Sequence, residues 1–186
     1  MKTLKLALII FIIPAAALFM NGCILDAFNE LTQNLSIERT FSVNGNTNSA
    51  VNQSATFRLA DSKVYTDNRD KIKKMRYKAA AFCVSKNTVP SLQGTIILTL
   101  KTSTGVPLFT KTLPNFKPSD YLGIAAKDLE LTAAEVNAID LYLANVDLLD
   151  TISFTAGLQF QNVTPANTQV SMDCFVSLAL EMTIKP

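Results

Sequence analysis

Histidine and tryptophan are both absent from this 186-residue chain. Without histidine, the chain lacks the commonest general base and metal ligand, and the one side chain that ordinarily titrates near neutrality. Ser–His and Cys–His nucleophile pairs are therefore excluded, and no S-x-x-K stands in for them. Without tryptophan, the chain loses the best stacking platform for sugars and a frequent anchor of protein interfaces. Glycine is scarce, at six residues, and forms no phosphate-binding motif. The three cysteines show no C-x-x-C or zinc-type spacing. No metal and no cofactor is expected. Two acidic pairs, Asp67 with Asp70 and Asp147 with Asp150, fall in turn-like stretches, where such residues usually serve backbone hydrogen bonds. Glycoside cleavage needs carboxylates opposed across a cleft, which closeness in sequence does not supply. Asp67, Asn68 and Asp70 also miss the spacing of a calcium-binding EF-hand loop.

What is present begins with a basic start, Lys2 and Lys5, followed by the uncharged apolar stretch Leu6 to Phe19. That run is short of the roughly 20 residues a membrane span needs and has the length and flanks of a secretory signal. Pro14 also argues against a permanent transmembrane helix. Next comes Leu18-Phe19-Met20-Asn21-Gly22-Cys23. This segment resembles the lipobox of bacterial lipoproteins: an apolar residue three before the cysteine, small residues next, then the cysteine. The resemblance covers about an eighth of the chain. It implies cleavage before Cys23, diacylglycerol in thioether linkage on its sulfur, and usually a third acyl chain on the new amino group. Two or more chains give stable anchoring. Ile24 stands where an aspartate would mark inner-membrane retention, so the resemblance implies delivery to the outer membrane of a diderm host. Ala15-Ala16-Ala17 offers a competing, ordinary cleavage site.

Beyond the anchor, basic and acidic side chains balance at 15 each, so nucleic acid is not an expected partner. The charge is unevenly placed. Residues 24 to 117 carry 13 basic and 6 acidic side chains, and residues 118 to 184 carry one lysine and 9 acids. Such halves either steer a charged partner or intermingle and neutralise each other in one fold.

Hydrophobic periodicity places the elements. Ile24, Leu25, Phe28, Leu31 and Leu35 recur at helical spacing, so residues 23–34 read as a lipidated tether or a short amphipathic helix. Alternation predicts a strand over 35–43, then the turn Asn44-Gly45 and a second strand to Leu59, together a hairpin. Further strands are expected around Met75–Val84, with Met75, Tyr77, Ala79, Ala81 and Cys83 on one face, and around Ile96–Leu100, Val106–Thr112 and Thr151–Phe160. The clearest is the last, with Val170, Met172, Cys174, Val176, Leu178, Leu180, Met182 and Ile184 on one unbroken face. Thr132-Ala133-Ala134-Glu135 matches a capping box and predicts one helix, about 133–145.

The expected organisation is a lipoprotein signal peptide over 1–22, a tether over 23–34, and a β-domain over 35–186. The fold class is all-β: an antiparallel two-sheet sandwich with one short helix. A closed barrel for an apolar ligand is the alternative architecture.

Two side-chain groups stand out besides Cys23. Cys83 and Cys174 fall on core-facing positions of expected strands. In an oxidising compartment a bridge between them would close a loop of about 90 residues, worth about 4.5 kcal/mol in the chain-entropy model. Two separate buried thiols are the other reading. Arg69, Lys71, Lys73, Lys74, Arg76 and Lys78 crowd six cations into ten residues. They read either as a surface for anionic lipid headgroups or as a solvated strand whose lysines discourage edge pairing. The function expected is a non-enzymatic envelope module whose partners are a membrane, through the anchor, and an envelope protein. The alternatives are a lipid carrier with a barrel-like cavity and an enzyme with an unrecognised site.

Overall fold

The computed structural model describes residues 31–48, 51–123 and 125–185. The expected signal peptide over 1–22 and the expected lipid-attachment residue Cys23 lie outside the described residues. Eight strands form two four-stranded antiparallel sheets. They are β1 (Leu31–Asn46), β2 (Val51–Arg58), β3 (Ile72–Asn87), β4 (Gln93–Thr102), β5 (Pro107–Phe116), β6 (Lys127–Asp128), β7 (Ser153–Thr164) and β8 (Gln169–Ile184). One sheet runs β1-β8-β3-β6 and the other β2-β7-β4-β5. This is the eight-strand, double-sheet jelly-roll order, and it gives each sheet of the expected all-β sandwich two edge strands in place of barrel closure.

Strand β8 sits at the centre of the first sheet. It pairs with all of β1, from Leu31 opposite Ile184 to Asn46 opposite Gln169, and on its other side with β3. Its eight alternate apolar residues face the second sheet, and all but Val176 are fully buried. Each large one contributes about 1.5–3 kcal/mol relative to exposure. Opposite them lie Leu98, Leu100, Phe154, Ala156, Leu158 and Phe160 of β4 and β7. Phe57 stacks on Phe154 with ring centroids 5.2 Å apart.

The strands of the first sheet outreach those of the second: β1, β3 and β8 each have 16 residues, whereas β2, β4, β5 and β7 have 8 to 12. Short helical segments supply buried residues where the second sheet stops. These are α1 (Lys63–Asn68), α2 (Ala133–Leu143) and the 3-10 turns at 59–61 and 146–151, which bury Leu59, Tyr65, Ile139, Leu143 and Leu149. The capping box forms as expected. The Thr132 hydroxyl accepts from the Glu135 N–H, and the Glu135 carboxylate accepts from the Thr132 N–H at 2.8 Å.

Several expectations are corrected. β1 begins at Leu31, so residues 31–34 belong to the sheet and not to the tether, because the end of β8 supplies their partners. β1 and β2 do not form a hairpin. They are edge strands of different sheets, and β2 pairs with β7 throughout. The chain turns at Thr47–Asn48, where the Thr47 N–H donates to the Thr168 carbonyl at 3.0 Å. The turn expected around residues 67–70 is the end of α1 and a following 3-10 turn. Strand β5 runs on to Phe116, four residues beyond the Thr112 end expected for it.

The correction with most consequence lies in β3. A bulge between Tyr77 and Ala79 shifts the register by one residue. The inward face is therefore Met75 and Tyr77, then Ala80, Phe82 and Val84, not Ala79, Ala81 and Cys83. A slip of one residue exchanges the two faces of a strand. The Tyr77 N–H beside the bulge donates to Asp140 of α2 at 2.6 Å.

Gly94 fixes a close approach in β4. A Cβ there would lie 2.8 Å from the Gln161 carbonyl oxygen and 2.7 Å from the Phe160 ring. Gly94→Ala should cost about 1–3 kcal/mol, read as a lower urea midpoint with an unchanged slope. An unchanged midpoint would contradict the packing described.

Candidate functional site

The register separates Cys83 from Cys174. Cys83 lies opposite Phe175, and Cys174 lies opposite Val84. Directly opposed residues share a sheet face, so the thiols sit on adjacent strands but point to opposite sides. Both are free in the structure, in place of the expected bridge. Cys174 is fully buried, whereas Cys83 is half-buried on the outer face. Burial first, then the neighbouring Asp173 carboxylate and Cys83, push the Cys174 thiol up to about 12. Thiolate is the reacting form, so alkylation of the folded protein at pH 8 should leave Cys174 intact and modify it only on denaturation. A peptide pair linked through Cys83 and Cys174 in the native protein would contradict this arrangement.

The six cations divide among different partners. Arg69 pairs with Asp150 at 2.6 Å, and Arg76 pairs with Glu181 across the sheet, its Nε donating at 2.6 Å. Lys78 reaches over β8 to Asn34 Oδ1 at 2.8 Å. Lys71, Lys73 and Lys74 are exposed at the start of β3. Among the described residues, Lys71 and Lys74 form no ion pair. The cluster is thus part cross-strand stitching and part solvated charge.

One member of each acidic pair holds a structural partner. Asp67 accepts from Lys63 at 2.6 Å. Asp150 holds Arg69 and also accepts from the buried Tyr65 hydroxyl at 2.8 Å. Burial, and then Asp150, raise the Tyr65 phenol well above its ordinary range. This group clamps α1 to the turn at 146–151. No group of three or more metal-ligating side chains occurs among the described residues.

Lys111 and Glu135 tie α2 to the edge of the second sheet at 2.8 Å, with both side chains only 19% exposed. Partial burial acts to raise the Glu135 carboxyl. Hydrogen bonds from Lys111 and from the Thr132 N–H and hydroxyl outweigh it and hold the group at about 2. The folded value lies below the ordinary 4.5, so this contribution is present above about pH 4.5 and is lost as pH falls toward 2. Glu135→Gln keeps the capping geometry but removes the charge. It should cost about 1–2 kcal/mol near neutrality and flatten the stability profile between pH 4.5 and 2. An unchanged acid limb would count against the pair.

Several depressions open on the surface of the described residues, among them the following two. One, about 220 Å³, lies on the outer face of the second sheet above Gly157, among Asn52, Ser54, Thr99, Lys101 and Gln159. The other, about 250 Å³, lies at the open edge near β6, among Phe82, Leu113, Tyr121, Lys127 and Asp128. Phe82 and Tyr121 of its lining meet edge-on, and the buried Phe116 packs against both, 4.9 Å from Tyr121. Lys127 lies 5.3 Å from the centre of the Tyr121 ring, and Asp128 accepts from the Glu130 N–H. Pattern reading misses this cleft because Phe116 and Tyr121 fall in a stretch without periodicity. By contrast, two spaces between the sheets are about 10 Å³ each, at or below the room needed for one water.

No family model matches this chain, and no curated protein matches it. Among solved structures it is similar to the decameric BFDV capsid protein, at 12% identity and a TM-score of 0.42, over 82% of this chain and 99% of that one. It is similar also to Desmodium yellow mottle tymovirus, at 12% identity and a TM-score of 0.38, over 83% and 90% of the two chains. Tobacco necrosis virus gives 12% identity and a TM-score of 0.34 over 83% and 97%. A likeness this loose says nothing of what this chain binds.

Proposed function

We propose that the chain is a lipid-anchored envelope protein, held at the outer membrane by acyl chains on Cys23, whose β-sandwich is a non-enzymatic binding or structural module. The observation that carries the module reading is the filled interior. Spaces of about 10 Å³ between the sheets fall far short of the roughly 300–1,000 Å³ of small-molecule sites. Recognition is therefore assigned to the outside of the sandwich and not to a cavity, which favours the module over the lipid carrier. Of the carboxylates weighed for catalysis, Asp150 is turned to Tyr65 and Arg69, and Asp67 to Lys63. The anchor rests on the lipobox resemblance at Met20-Asn21-Gly22-Cys23. No helix among the described residues is long and apolar enough to cross a membrane.

The native product is expected to partition into the detergent phase and to yield an N-terminal peptide that begins at Cys23 and carries the mass of its acyl chains. A product in the aqueous phase beginning just after Ala17, with an unmodified Cys23 thiol, would overturn the proposal.

A further inference from the structure

The topology brings three strand ends together where the chain leaves the sheet toward the anchor. Leu31, the first residue of β1, lies opposite Ile184 near the end of β8, and Ile184 lies opposite Ile72 at the start of β3. The basic segment just before and within β3 is therefore at the tether end. The Lys185 N–H donates to the Lys71 carbonyl at 2.8 Å, which places a further exposed lysine beside Lys71 and Lys74.

Exposed apolar side chains occur in the same region. Leu31 is 46% exposed and Val64 of α1 is 40% exposed. Val64 belongs with Leu31 because Asn68, one turn further along α1, donates to Gln33 of β1 at 3.0 Å. The carboxylates nearby are mostly paired internally, Asp67 with Lys63 and Asp150 with Arg69. Asp70 adds one negative charge to the segment.

Leu31 lies eight Cα-to-Cα steps beyond Cys23. Such a length of chain spans at most about 26–29 Å, so an acylated Cys23 keeps this end of the domain near the bilayer. Lysines close to an anionic surface each contribute about 1 kcal/mol, about fivefold in affinity, within a Debye length of about 8 Å. Resting on the anchor proposed above, we propose that this end docks on anionic phospholipid: Lys71, Lys74 and Lys185 meet headgroup phosphates, and Leu31 and Val64 enter the interface. The domain then lies against the bilayer in one orientation, with the connection at residues 88–92 directed away.

The absence of tryptophan makes a clean test available. Full-length lipidated protein carrying Val64→Trp, or Ser91→Trp at the far end, is reconstituted into vesicles of phosphatidylcholine brominated on its acyl chains, with or without phosphatidylglycerol. With phosphatidylglycerol, the Val64→Trp fluorescence should be quenched several-fold more than the Ser91→Trp fluorescence. Most of that difference should disappear when Lys71, Lys74 and Lys185 are changed to Ser, or in 1 M salt, where the Debye length is about 3 Å. Vesicle flotation without phosphatidylglycerol reports the anchor separately. Protein that floats on both vesicle types yet shows equal quenching at the two positions, or quenching unaffected by the lysine changes, overturns the docking and leaves the anchor standing. Protein that fails to float overturns both.

Discussion

Strand β8 is paired on both sides along nearly its whole length while its inward face is apolar at every position from Val170 to Ile184. Other features of the molecule follow from that constraint. A 16-residue strand buried on one face needs a covering layer of the same length, and the second sheet, with strands of 8 to 12 residues, does not reach. The helical segments contribute further buried apolar groups, Leu59, Tyr65, Ile139, Leu143 and Leu149. Their polar ties, Asp140 to the β3 bulge, Glu135 to Lys111, and Asp150 to Tyr65 and Arg69, hold them to the strands and to one another.

The sandwich, β8 and the capped helix are legible in the sequence because each rests on a local pattern. The β8 stripe has a strict period of two over eight positions, and Thr132 and Glu135 stand at capping spacing. What is not legible depends on pairing. Nothing in Tyr77-Lys78-Ala79 announces a bulge, yet that one extra residue turns Cys83 outward and separates it from Cys174. Alternation in 35–43 and 51–59 identifies two strands, but not that their partners are β8 and β7. The Asn-Gly signal marks a change of direction and is equally compatible with a hairpin or a crossing between sheets. The cleft near β6 is illegible for the same reason, since Phe82, Phe116 and Tyr121 meet only through tertiary packing.

The cations show how structure refines a compositional signal. Six in ten residues read as one patch in the sequence. In the fold, Arg69, Arg76 and Lys78 are engaged with side-chain partners, whereas Lys71 and Lys74 are displayed at the end where β1 begins. The uneven charge of the two halves is largely resolved by mixing, since each sheet contains strands from both. What remains is a molecule with distinct ends: a basic and partly apolar end near the tether, and an opposite end formed by the turns at 47–48, 88–92 and 165–168.

Amide hydrogen exchange of the full-length protein, resolved by strand, tests the central claim most directly. If β8 organises the fold, amides of residues 172–182 exchange only through global unfolding and are the slowest in the molecule, while the edge strands β2 and β5 exchange through local opening. Exchange across β8 as fast as in β2 and β5 would contradict the account.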